Sequence, residues 1–397
     1  MTATHDVVII GGGAAGITTA ARLKRAGITN IAVIEPSETH YYQPMWTLVG
    51  GGEASIAPTA RPQSSVIPKG VTWIKAAATG VDPEANTVSL DNGDEVHYSW
   101  LVVAAGIQLN WDGVPGLVDT LGRNRVSSNY SYDLAPQTWE AIKSTTSGTA
   151  VFTQPNGPIK CAGAPQKIAY LAADHWQRTG VLKDMDIHLI LPTPGMFGVP
   201  EFAAGLTKVA ERYGINVHFE SHMTAVDGDA HTLQITKIPT GEVESMHFDM
   251  MHVTPPQSAP DWIKASPLAD PNSPFGYMEV DKFTLQHTRF PNIFGLGDCT
   301  NTPNSKTAAA VRKQSPVLVA NLVAARKAQA ATKSYNGYAS CPLITAKGKC
   351  IMAEFDYDLN RTPTFPMDMT KERWDMYQVK KNGLPILYWN FMLKGVA

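Results

Sequence analysis

The stretch Val7-Val8-Ile9-Ile10-Gly11-Gly12-Gly13-Ala14-Ala15-Gly16 decides the fold. Four β-branched residues read as a short buried strand. The Ala-rich run from Ala14 to Ala26, stopped by Gly27, reads as a helix. Between them Gly11, Gly13 and Gly16 keep the spacing G-x-G-x-x-G. The first glycine of that spacing permits a tight turn, the second lets a pyrophosphate reach the backbone, and the third lets helix and strand pack closely. A pyrophosphate there meets the positive end of the helix. The run Ile31 to Ile34 predicts the next strand, and Glu35 ends it at the distance expected of a ribose-hydroxyl acceptor. The segment is therefore a βαβ unit of a parallel sheet built around a dinucleotide. By itself it does not choose between FAD and NAD.

Two later segments favour FAD. Leu101-Val102-Val103-Ala104-Ala105-Gly106 and Ile293-Phe294-Gly295-Leu296-Gly297-Asp298 resemble the middle and late motifs of two-dinucleotide flavoproteins, in the order that fold requires. Resemblance places Asp298 on the ribityl chain. A second α/β unit lies between them, with strands expected at Thr149 to Thr153, Ile187 to Leu191 and Asn216 to Glu220, and helices at Cys161 to Asp174 and Leu206 to Tyr213. Its central turn, Pro192-Thr193-Pro194-Gly195-Met196-Phe197-Gly198, is bulky and proline-bearing where a nicotinamide dinucleotide needs glycines. Electrons are thus expected from a donor other than nicotinamide. The fold class is α/β, with two Rossmann-like (three-layer ββα) dinucleotide-binding-type domains and a C-terminal segment. We expect residues 1–110 with 283–335 to bind FAD, residues 111–282 to form the second unit, and residues 336–397 to stand apart.

Composition narrows the function classes. The chain has 397 residues, 44% of them hydrophobic, and a formal net charge of -2. No basic block suggests nucleic acid. No apolar run reaches the ~18 residues of a membrane-spanning helix. The residues before the glycine turn resemble neither a secretory signal nor a transit segment. The four cysteines, Cys161, Cys299, Cys341 and Cys350, form no C-x-x-C pair and no zinc-type cluster, so no metal site is expected. Cys161 follows the turn Asn156-Gly157-Pro158 and is flanked by Lys160 and Lys167. A helix N-terminus and two cations both favour a thiolate there. Cys341, in Tyr338-Ala339-Ser340-Cys341-Pro342-Leu343, reads as a loop residue. Cys299 reads as packing beside the late motif, and Cys350 as incidental at a strand edge.

Several of these stretches together resemble sulfide:quinone oxidoreductases, most closely the type found in mitochondria and related bacteria. They are His40-Tyr41-Tyr42-Gln43-Pro44-Met45-Trp46-Thr47-Leu48, Lys160 to Lys167, Gly297-Asp298-Cys299-Thr300-Asn301, Ser305-Lys306-Thr307-Ala308-Ala309-Ala310, Gly337-Tyr338-Ala339-Ser340-Cys341-Pro342, and Tyr388-Trp389-Asn390. The resemblance implies that Cys161 and Cys341 form a redox-active pair facing the flavin, bridged by sulfur at rest. It implies that sulfide opens the bridge, that a persulfide forms on Cys341, and that sulfane sulfur leaves to sulfide or a small thiol. Two electrons would then pass through FAD to ubiquinone or another membrane quinone. Candidate FAD contacts are Gly11, Gly13, Ala14, Gly16, Glu35, Gln43, Ala78, Gly106, Asp298, Lys306 and Thr307. Lys306 has a rival reading as an ordinary surface lysine.

The tail supplies the quinone and membrane expectations. Tyr388, Trp389 and Phe391 are its candidate residues, within an apolar-aromatic set interleaved with Lys371, Arg373, Lys380, Lys381 and Lys394. Such mixtures suit a membrane surface, where lysines reach for headgroups. The resulting expectation is a peripheral protein on the cytoplasmic face of a bacterial inner membrane, with a second copy of itself among its candidate partners. A type II NADH:quinone oxidoreductase-like flavoenzyme, a flavocytochrome-type sulfide dehydrogenase subunit and a non-catalytic sulfide-responsive flavoprotein are the alternatives.

Overall fold

The computed structural model describes residues 3–397. The opening strand, Ala3–Ile10, lies between Ile31–Ile34 and Glu95–Val103, parallel to both. Thr72–Ile74 extends this sheet on one side, and Ile293–Gly295 joins Glu95–Val103 in parallel on the other. Thr87–Leu90 and Ala78–Asp82 fold back as an antiparallel flank. Val7, Val8 and Ile9 are fully buried, as a strand covered on both faces requires. The helices Ala14–Arg25 and Ala308–Ala325 share one core with this sheet, through Ile17, Leu23, Leu318 and Leu322.

The second sheet is wholly parallel, in the order Val126–Ser127, Met250–Val253, Gly148–Thr153, Met185–Ile190, Asn216–His218. Its principal helix, Ala164–Thr179, buries Ile168, Tyr170 and Trp176 in the core it shares with that sheet. A three-stranded antiparallel meander, residues 221–247, is appended to it. The helix following Met185–Ile190 does not begin until Pro200. No helix N-terminus therefore abuts that strand end, as a nicotinamide pyrophosphate would need.

Two local expectations are corrected. The helix expected from Cys161 starts instead at Ala164, with Pro165 in its first turn, because Cys161 has a left-handed φ of 55° that no helix accommodates. Cys341 is not in a loop. It lies on Ala339–Ala346, opposite Ala353 of Lys349–Phe355, in a buried antiparallel hairpin. Ala339, Cys341 and Leu343 alternate on one face and enter the second unit's core with Ile351 and Ala353, which is the period-2 pattern of a strand.

After the hairpin come Trp374–Gln378, a π-helical turn Val379–Gly383, and Leu384–Asn390. Polar clamps hold this segment to the body. The Tyr377 hydroxyl donates to buried Glu53 at 2.8 Å, and Lys381 and Lys347 each approach that carboxylate at 3.5 Å. Arg212 grips Glu372 with both guanidinium nitrogens at 2.8 Å. Among the described residues no helix is long and apolar enough to cross a membrane.

Candidate active site

The glycine turn is a cradle with distinct demands at each position. A Cβ on Gly11 would lie 2.4 Å from the Ala104 carbonyl oxygen, and one on Gly16 would lie 1.8 Å from that of Gly11. Those two glycines pack backbone on backbone. A Cβ on Gly13 or Gly106 would meet nothing within 4 Å, so both face open space. The helix Ala14–Arg25 has no side-chain cap, which leaves its first amides free for an anion. Glu35 is fixed by Gly12 N–H at 2.7 Å and Ser37 N–H at 2.8 Å, and its oxygens keep lone pairs for a hydroxyl. The open faces, free amides and anchored acid fit a dinucleotide. Ala78 is half-buried on the antiparallel flank, opposite Leu90.

Beneath the cradle is a bond that sequence reading missed. His40 Nδ1 lies 3.0 Å from the Gly12 carbonyl, which only accepts, so that nitrogen carries the proton. Nε2 then accepts from the Tyr388 hydroxyl at 2.6 Å. Burial lowers the His40 pKa to about 4, keeping the ring neutral. Tyr388 and Trp389 are only 3% and 5% exposed. They therefore brace the cofactor turn from inside, which corrects their expected place on a membrane-facing surface. Phe391 is 47% exposed.

The two thiols converge in a separate cluster. Cys161 and Cys341, both free, interact directly. That contact does most to hold Cys161 well below the ordinary thiol value; burial opposes it, and Lys167 adds its charge in favour. Lys167 Nζ lies 3.0 Å from Cys161 Sγ and is itself buried. Cys341 is driven the opposite way, first by the same contact and then by burial, while Ser305 Oγ stands 3.8 Å from its sulfur. A second buried ammonium, Lys380, comes from the π-helical turn and donates to the Pro44 carbonyl at 2.6 Å. Burial lowers its pKa to about 8, with Lys167 adding repulsion and Cys161 attraction. Lys380 was expected among the snorkelling lysines of the tail. The structure instead encloses it beside the thiols, and nothing in the polar stretch Gln378-Val379-Lys380-Lys381-Asn382 marks it out from its neighbour Lys381.

The late motif completes the site. Asp298 is half-buried, its carboxyl raised by burial against the pull of Lys306 and Lys160. Lys306 is no surface lysine: Nζ donates to the Thr300 carbonyl at 2.8 Å, sits 4.0 Å over the Tyr277 ring, and is lowered by burial to about 8. Thr307 caps the helix that follows, accepting from Ala310 N–H at 3.1 Å. Gln43 accepts from Lys160 Nζ at 2.5 Å, tying the first unit to the Cys161 turn. Cys299 is buried against the Val103 and Leu296 carbonyls, and burial pushes it up to about 11. Cys350 is likewise buried and pushed up to about 12. Neither is a nucleophile at neutral pH. Among the described residues no group of three or more His, Cys, Asp or Glu could hold a metal ion.

Residues 5–151 match the family described as pyridine nucleotide-disulphide oxidoreductase. The chain is 43% identical over 98% of its length, and 87% of the relative's, to the mitochondrial sulfide:quinone oxidoreductase of Mus musculus. It is 42% identical over 98% of its length, and 86% of the relative's, to that of Dictyostelium discoideum. The solved sulfide:quinone oxidoreductase of Aquifex aeolicus superposes with a TM-score of 0.82 at 18% identity, covering 98% of this chain and 92% of that one. Relatives named as mitochondrial lend no support to the expected bacterial inner membrane. With a shared fold, and more than two-fifths identity over nearly the whole chain, the chain belongs to the sulfide:quinone oxidoreductase family of flavoproteins.

Proposed function

We propose that this protein oxidises sulfide at Cys161 and Cys341 and delivers the electrons to a membrane quinone. One observation carries the reading: two cysteines from distant segments interact directly, with a buried ammonium 3.0 Å from one of them. The Lys167 ammonium beside Cys161 Sγ favours one direction of attack, because it stabilises that sulfur as a thiolate. In thiol–disulfide exchange the lower-pKa sulfur leaves faster. With the pair bridged, hydrosulfide attacks the Cys341 sulfur, the S–S bond breaks, and Cys161 departs as a thiolate. Cys341 then carries the persulfide, and Lys167 takes up the new charge on Cys161. Lys167 and Lys380 also draw the hydrosulfide anion inward. A sulfide or small thiol removes the sulfane sulfur.

Gly11, Gly13, Ala14, Gly16 and Glu35 hold FAD at its pyrophosphate and ribose, with Asp298, Lys306 and Thr307 at the opposite end. When bound, FAD supplies the two-electron relay between sulfide and quinone. Membrane attachment rests on Trp374, Ile386 and Phe391, which are 67%, 55% and 47% exposed on the C-terminal segment. Large apolar side chains left exposed along one segment suit a membrane surface, and Phe391 is the quinone-side candidate among them.

The test is anaerobic. Sulfide should bleach the flavin of the purified protein and a short-chain quinone should restore it, while Cys161→Ser and Cys341→Ser should lose the bleaching. Bleaching by NADH but not by sulfide would overturn the reading in favour of an NADH:quinone oxidoreductase.

A further inference from the structure

Cys161 has a φ of 55°, a left-handed conformation that residues other than glycine rarely adopt and that surroundings must impose. The imposing bonds can be counted off along the chain. Lys160 N–H donates to Gln257 Oε1 at 2.9 Å, and the Tyr130 hydroxyl donates to the Lys160 carbonyl at 2.9 Å. Cys161 N–H donates to the Lys306 carbonyl at 3.0 Å, and the Cys161 carbonyl accepts from Ala164 N–H at 2.7 Å. Every backbone polar group of the two residues is thus occupied. Two of the four partners are side chains, and both lie on segments that lead out of the second sheet. Tyr130 follows Val126–Ser127 and Gln257 follows Met250–Val253, strands that pair directly. Both residues are more than nine-tenths buried.

A phenol and an amide are costly to bury without full pairing. Gln257 Nε2 and Thr254 Oγ1 have no partner of good geometry, and both lie against the Tyr130 oxygen. The polar groups are explained by what they hold, the peptide unit immediately before Cys161. That turn decides where the Cys161 side chain points, and hence whether its sulfur reaches both Lys167 and Cys341.

We infer that Tyr130 and Gln257 are positioning residues for Cys161, clamping the Lys160 peptide so that the thiol is presented to Lys167 and Cys341. The inference rests on the role given to Cys161 in the proposed function. The test uses the flavin-loaded protein, reduced with a thiol that is then removed. Iodoacetamide labelling of Cys161 is followed against pH by peptide mass spectrometry, and sulfide-driven bleaching by rapid mixing, for Tyr130→Phe, Gln257→Leu and the double variant. Tyr130→Phe keeps the ring 5.6 Å from Lys160 Nζ and removes only the hydroxyl. Flavin content and melting temperature should hold, whereas labelling near neutral pH and bleaching should both fall roughly ten- to a hundredfold. The labelling profile should move to higher pH, and quinone reoxidation should be unchanged. Because both residues hold one peptide, the double variant should be little worse than the worse single. Labelling and bleaching within about twofold of the parent in both single variants would overturn the inference, as would additive losses that track lost flavin. Normal bleaching in Cys161→Ser would instead sink the proposed function, while the labelling profile still decides the clamp.

Discussion

Replacing Lys167 with Met keeps the length of the side chain and deletes its charge. The ammonium lies 3.0 Å from Cys161 Sγ, and Lys167 is only 3% exposed, so solvent screens the pair little. A hydrogen bond to a charged group contributes about 1.5–3 kcal/mol. At about 1.36 kcal/mol per decade, that is roughly a ten- to hundredfold loss in any rate that depends on the Cys161 thiolate. Lys380 remains as a second cation, which favours the lower half of that range. The assay is sulfide-driven flavin bleaching by rapid mixing, repeated across pH. The sign follows from the direction of the shift: Lys167 favours the thiolate, so the parent loses rate only when pH falls through the depressed Cys161 pKa. In Lys167→Met that loss should set in at higher pH, with flavin content and quinone reoxidation unchanged. Bleaching within about twofold of the parent, with the acid limb unmoved, would refute the electrostatic role of Lys167.

Other outcomes follow from the same geometry. Gly13→Ala should lower flavin content without shifting the melting temperature of the flavin-free protein, because its Cβ enters open space, whereas Gly16→Ala, 1.8 Å from the Gly11 oxygen, should reduce both. Differential scanning fluorimetry and absorbance of the bound flavin separate the two. Trp374→Ser with Ile386→Ser should weaken co-sedimentation with lipid vesicles while leaving sulfide-driven bleaching intact; undiminished sedimentation would remove these side chains from the membrane surface. Burial holds His40 at about 4 and His252 at about 3, against an ordinary value of 6.5. Unfolding then takes up protons below 6.5, so stability should fall as pH drops from 6.5 toward 4 and be insensitive to these groups above it. The drop in melting temperature between about pH 7 and pH 5 should shrink in His40→Gln; an unchanged drop would show that His40 is not a source of the acid sensitivity.

How much of this was legible in the sequence depended on whether the cause was local. The glycine spacing, the buried strands and Glu35 follow from neighbours within one βαβ unit, and the structure places them as read. The same holds for Cys161 beside Lys167, six positions away on the entering helix. Cys341 was misread as a loop residue because its strand gains its meaning only from the partner strand Lys349–Phe355. Lys380 was misread, and Lys306 kept a rival reading as a surface lysine, for the opposite reason. A lysine is ordinarily exposed, and nothing nearby in sequence reveals the Thr300 and Pro44 carbonyls that receive them. Tyr388 was assigned outward because aromatic tails suit membranes, yet its hydroxyl is spent on His40, far away in the chain.

These long-range bonds share one consequence. The glycine turn, the late motif and Cys161 all precede the end of Ala308–Ala325, but Cys341 and Lys380 arrive only with the segment after it. That segment also carries the exposed apolar side chains of Trp374, Ile386 and Phe391. One stretch of chain thus bears the cysteine proposed to carry the persulfide, a cation beside it, and the surface proposed for the membrane. Its seat on the body has to be rigid for two sulfurs on different elements to stay in contact. The clamps of Glu53 with Tyr377 and of Arg212 with Glu372, together with the Tyr388–His40 bond, provide that rigidity at three separate points. Loosening any of them should misalign Cys341 against Cys161 before it unfolds the protein. Glu53→Gln is the mildest such change, because it keeps an acceptor for Tyr377 and gives up only the charge facing Lys381 and Lys347. It should slow sulfide-driven bleaching while flavin content stays at the parent level, and loss of flavin ahead of bleaching would place the clamp's role in the cradle instead.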